Sequence, residues 1–125
     1  MMPAEYENLV GALKLTDIPF AEYGWKTRPE GTYGTVQLDM ESAGMDADGG
    51  KKDRSWEASV DVFFQKLADR QSVISTVEET IEAVCGDSWE LNSIQYETST
   101  GLFHVEWVCW LFGTVKAVPE EAGDA

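Results

Sequence analysis

Near the start of the chain, Tyr6, Leu9, Val10 and Leu13 recur at i, i+3, i+4 and i+7, which lays one apolar stripe along a helix. Pro3 suits its first turn, where the missing N–H has no intrahelical partner to lose. Asp17-Ile18-Pro19 ends the pattern, because the residue before a proline is pushed out of the α region. An extended segment is predicted over residues 20–25. Residues 25–31 read as a hairpin connection, with Pro29-Glu30-Gly31 supplying a fixed φ and then a residue free to take positive φ. A half-buried strand follows, with Val36, Leu38 and Met40 on one face and Thr35, Gln37, Asp39 and Glu41 on the other.

Residues 42–54 are rich in Gly, Asp and Lys and form a long loop, a kind of connection that often carries function. Beyond it, Trp56, Ala58, Val60, Val62 and Phe64 alternate with Glu57, Ser59 and Asp61, so a hairpin spans the loop. Asp69 stands where a side chain caps a second helix, whose Val73, Val77, Ile81 and Val84 repeat at helical spacing with Ile74 beside them. Glu78, Glu79 and Glu82 are expected to face away, and Gly86 to end the helix. Two strands close the pattern, residues 89–98 and 102–112, joined by the turn Ser99-Thr100-Gly101.

The fold predicted is α+β in the order α-β-β-β-α-β-β: a mainly antiparallel sheet of about five strands with two helices packed on one face. The last strand is apolar on both sides. Phe103, Val105, Trp107, Cys109 and Leu111 share one face; Leu102, Val108, Trp110 and Phe112 share the other with His104 and Glu106. One helical layer cannot serve both faces, so the second is expected to meet the chain's own terminal segments or a neighbouring subunit.

The length of 125 residues fits one domain, read as residues 1–118, followed by a frayed acidic tail over residues 119–125. Charge changes the picture more than size does. Asp and Glu number 23 against 9 Lys and Arg, a net charge of −14, which disfavours binding to nucleic acid through its phosphates and to anionic membranes. The longest apolar stretch falls short of a membrane span, and the first residues lack the basic and apolar regions of a secretory signal, so a cytosolic product is expected. Cys85 and Cys109 lack CxxC spacing and read as buried free thiols.

Catalytic constellations are scarce. The single histidine, His104, sits on a strand and reads as satisfied or exposed rather than as a ligand. Asp46, Asp48 and Asp53 miss the calcium-loop pattern, since Gly49 follows Asp48 directly and no Glu closes the loop. No Walker loop or GxGxxG is present, no carboxylate pair is singled out for glycosidase chemistry, and the five tryptophans read as core and interface rather than a stacking platform. No enzyme, metal or cofactor is expected. The charge is unevenly spread, however: residues 71–115 contain no Lys or Arg, whereas Lys51, Lys52 and Arg54 gather at the end of the long loop. Opposite charges at different places on one molecule suit head-to-tail contacts, which generate rings when the rotation closes.

The element layout, together with Tyr23-Gly24-Trp25, Pro29-Glu30-Gly31-Thr32-Tyr33, the run from Ser88 through Trp89-Glu90-Leu91-Asn92-Ser93-Ile94-Gln95-Tyr96 to Glu97, and His104-Val105-Glu106-Trp107, resembles the tail terminator, or tail-completion, proteins of long-tailed bacteriophages. The resemblance covers about residues 4–113. It implies a homo-oligomeric ring, typically a hexamer, that caps the tail tube and joins it to the head connector, with no catalytic residues. Its partners would be further copies, the tail tube protein and the connector, and its place the host cytoplasm and then the virion. By the same analogy the loop residues Asp46, Asp48, Lys51, Lys52 and Arg54 would contact partners, and Glu106, Trp110 and Phe112 would lie near a subunit contact. The alternative is an acidic DNA mimic, whose carboxylates would imitate phosphates in another protein's groove.

Overall fold

A computed structural model of the chain describes residues 4–43 and 54–111. The elements are α1 (Ala4–Lys14), β1 (Phe20–Glu22), β2 (Tyr33–Ala43), β3 (Arg54–Phe64), α2 (Arg70–Cys85), β4 (Trp89–Glu97) and β5 (Leu102–Leu111), with a 3-10 turn at Leu67–Asp69 leading into α2. This is an α+β fold in the expected order. The strands form one sheet in the order β1-β2-β3-β5-β4, antiparallel throughout except at β1.

Both helices lie on the same side of the sheet. α1 has Glu5 and Glu7 in its first turn and Lys14 in its last, matching the helix dipole, and buries Tyr6, Leu9, Val10 and Leu13. Val73, Val77 and Ile81 of α2 join them over Val36, Ala58, Val60, Val62, Phe64, Val105, Trp107, Cys109 and Leu111. Each Val, Leu, Ile or Phe side chain among them contributes roughly 1.5–3 kcal/mol before chain entropy is set against it.

Four local expectations are corrected. Residues 25–31 are not a hairpin connection, because β1 runs parallel to β2, pairing Phe20 with Gly34 and Glu22 with Val36. The chain instead turns back through Tyr23 (φ 64°) and Gly24 (φ 135°), and Trp25 Nε1 donates to the Gly34 carbonyl at 3.0 Å. Close approach of β1 requires glycine at position 34, where a Cβ would lie 2.7 Å from Cζ of Phe20. In β2 the register shifts at Asp39, so Met40 pairs with Glu57 rather than continuing the alternation of Val36 and Leu38. Asp69 occupies the position before α2, but its side chain makes no capping bond, because the preceding 3-10 turn already gives it helical dihedrals. Glu78 does not face away: it is half-buried and its Oε2 accepts the Trp107 indole N–H at 3.0 Å. Glu79 and Glu82 are exposed as expected.

The residues of the expected tail, 119–125, lie outside the described residues, as does Phe112.

Candidate functional site

The sheet face opposite the helices is built by alternation and by two bulges. Register sets Tyr33, Phe63, His104 and Gln95 in one row across β2, β3, β5 and β4. The next row is Thr35, Asp61, Glu106 and Ser93; then come Gln37, Ser59, Val108 and Glu90, and finally Glu57 beside Trp110. The bulges at Asp39 and Asn92 add polar side chains to this face. Asp39 accepts from Ser59 Oγ and from Gln37 Nε2 (2.7 Å), while Asn92 Nδ2 donates to Glu106 Oε1 at 3.2 Å.

His104 is held from three sides on this face. Its ring stacks on Phe63 at 4.3 Å, and Phe63 stacks on Tyr33 at 5.0 Å. Nε2 lies 2.6 Å from Asp61 Oδ2 and Nδ1 lies 3.1 Å from Glu97 Oε2, whose other oxygen accepts from Thr100 Oγ1 at 3.1 Å. The Asp61 hydrogen bond raises the imidazole above its ordinary pKa; burial opposes this, and the Asp61 charge and Glu97 add to the rise. The histidine is therefore satisfied, as expected. With both ring nitrogens held by carboxylates, it has no free lone pair to serve as a base toward a hydroxyl or thiol.

A histidine raised in this way stabilises the fold fully below its unfolded pKa, about 6.5, and loses that contribution as pH rises through the higher folded value. His104→Gln is accordingly expected to cost stability at pH 6 and progressively less toward pH 9. Urea unfolding of both proteins across that range checks it, and a constant gap would contradict the clamp.

An open depression of about 590 Å³ adjoins the aromatic row, lined by Arg28, Glu30, Tyr33, Gln65 and Thr100 among others. One cation and one carboxylate at its rim do not make a catalytic set. Among the described residues no group of three or more His, Cys, Asp or Glu side chains is placed to hold a metal ion. None of the helices there is long and apolar enough to cross a membrane.

Of the residues singled out from the sequence, Glu106 and Trp110 fall on this face, half-buried, opposite Asp61 and Glu57 of β3 respectively. Arg54 opens β3. Asp46, Asp48, Lys51, Lys52 and Phe112 lie outside the described residues. The sequence reading missed Asp61 and Glu97 as partners of His104. Alternation already put Asp61 on the polar side of its strand, but only the adjacency of β3 and β5 joins it to His104.

Asp61 and Glu106 are direct cross-strand neighbours of like charge, an arrangement that costs stability on its own. The carboxylates of Glu57, Asp61, Glu90 and Glu106 thus share this face with Val108 and Trp110. On the edge strand β4, Leu91, Ile94 and Tyr96 are exposed. Among known proteins, no family model matches the chain and no curated protein matches it.

Proposed function

We propose that the protein is a structural assembly component that associates with copies of itself into a ring, in the manner of phage tail terminators, capping a tail tube and presenting a surface to the head connector. The observation that carries this reading is the sheet face opposite the helices, where half-buried Val108 and Trp110 sit among Glu57, Asp61, Glu90 and Glu106. A face of that composition suits a partner bearing basic residues, and Lys51, Lys52 and Arg54 supply them in the same chain. Exposed apolar side chains on the edge strand β4 add a second region suited to contact between copies. The role is non-enzymatic, and its setting is the host cytoplasm during assembly and then the virion.

Light scattering coupled to size exclusion, with and without purified tail tubes, tests the reading. Ring-sized particles or capped tubes are expected; a chain that stays monomeric at every concentration and leaves tube ends growing would overturn it. Lys51→Glu combined with Lys52→Glu is expected to leave the unfolding transition unchanged while weakening assembly at least tenfold, a loss of about 1.4 kcal/mol.

The DNA-mimic alternative draws on the same carboxylates. It is the weaker reading because Asp61 and Glu97 are engaged by His104, and because Val108 and Trp110 interrupt the acidic rows. Competition with duplex DNA for a nucleic-acid-binding protein would favour it instead.

A further inference from the structure

Cys85 is the last residue of α2, and Cys109 lies on the helix-facing side of β5, fully buried. A short return of the chain brings them together. The Gly86 N–H donates to the Glu82 carbonyl at 2.9 Å, and the Ser88 N–H donates to the Cys85 carbonyl at 3.1 Å. The Ser88 carbonyl in turn accepts the Trp110 N–H at 2.9 Å, and Trp89 pairs directly with Cys109. The end of α2 is thus tied within three residues to the backbone beside Cys109. Cys109 belongs to the buried core cluster, and Cys85 packs against that cluster.

The two thiols sit in unequal surroundings, Cys109 buried and Cys85 partly exposed. The neighbouring Cys109 holds the Cys85 thiol below its ordinary pKa, against opposing contributions from burial and Glu5. Cys85, with burial, pushes Cys109 up. Cys85 is also the partly exposed member of the pair. An accessible, more acidic thiol beside a buried one is the arrangement of an attacking and a resolving cysteine.

We propose that Cys85 and Cys109 are a redox-modifiable pair that closes into a reversible intramolecular disulfide, stapling the C-terminal end of α2 to β5, with a small-molecule disulfide as oxidant. Cys85 gives up its proton and its thiolate attacks one sulfur of the reagent. The reagent's S–S bond breaks, and the departing thiolate takes up a proton. Cys109, deprotonated in its turn, attacks the Cys85 sulfur of the mixed disulfide and expels the second reagent thiolate, which is protonated. Two protein thiols are oxidised, and one disulfide is reduced to two thiols. The staple lies within a single chain and stands whether or not copies associate.

Oxidised glutathione added to the native full-length protein, followed by alkylation in denaturant and intact-mass measurement, tests this. The expected product has lost two hydrogens, carries no glutathione and no alkylated thiol, runs as a single chain without reductant, and unfolds at a higher temperature until a reductant is added. In Cys85→Ser, which changes only the partly exposed partner, Cys109 is expected to stay unmodified at least tenfold longer than the pair takes to close. Stable glutathione adducts, disulfide-linked dimers, two intact thiols after prolonged exposure, or an unchanged or lowered melting temperature in the oxidised chain would each overturn the proposal. Rapid modification of Cys109 in Cys85→Ser would overturn the order of attack.

Discussion

Val60→Asp is expected to leave no folded protein in water: near-ultraviolet circular dichroism flat, tryptophan emission shifted to the red, and no cooperative urea transition. Val60 is wholly buried at the middle of the central strand, paired with Val36 of β2 on one side and Trp107 of β5 on the other. No described cation lies in that core cluster to pair with a carboxylate. The substitution must therefore bury an unpaired charge or protonate it against its nature, at a cost of several kcal/mol either way. A domain stabilised by about 5–15 kcal/mol has little to set against that loss together with the lost valine packing. Val60→Thr has nearly the same shape and buries only a hydroxyl. It is expected to fold with a loss of roughly 1–3 kcal/mol, which separates charge from volume as the cause. A Val60→Asp chain with a normal urea transition would mean that the central strand is not where the fold places it.

The second large effect belongs to Trp107. Its indole is fully buried beneath α2, and its N–H is taken up by Glu78. Trp107→Ala is expected to cost about 3–5 kcal/mol by emptying a large part of the core. It also leaves Glu78 half-buried without its donor, which adds to the loss. Trp107→Phe keeps most of the ring volume and removes only the donor, so its cost should fall well below that of the alanine variant. Glu78→Gln retains an acceptor for the indole and should be milder still. Equilibrium urea unfolding of the three variants orders these effects. Equal losses for alanine and phenylalanine would assign the stability to the hydrogen bond rather than to packing.

Much of this fold is readable from residue spacing alone. The stripes Tyr6-Leu9-Val10-Leu13 and Val73-Val77-Ile81 have helical period, and the alternation from Trp56 to Val62 marks a strand. These signals are local, and local spacing decides which face of an element is buried. Strand order is not local. Nothing between Arg54 and Leu111 announces that β5 sits between β3 and β4, because any alternating strand can pair with any other of similar length. The parallel β1 is lost for the same reason: three residues carry no period, and Pro29-Glu30-Gly31 marks a reversal without saying which edge the chain returns to. Gly34 was the available clue, since glycine inside a strand signals a close neighbour, here the Phe20 ring. Glu78 escapes for a different reason. Helical periodicity gives the position of a stripe but not its width, and a carboxylate at the edge of a stripe is drawn inward only when an indole N–H across the core needs an acceptor.

The candidate site divides along the same line. That Glu106 and Trp110 share a face follows from alternation within one strand. That His104 is clamped by Asp61 from one neighbouring strand and Glu97 from another depends on the strand order and was not accessible before it.

The placement of β5 has a consequence during synthesis. The hairpin of β2 and β3 can form as soon as residue 64 has left the ribosome, yet the far edge of β3 finds its partner only when residues 102–111 emerge. Through that interval Val60, Val62 and Phe64 lie along an unpaired strand edge, the kind of surface on which nascent chains stick to one another. Chains truncated anywhere between residues 65 and 101 should therefore be substrates for chaperones and seeds for aggregates, whereas a chain released after residue 111 closes its own seam.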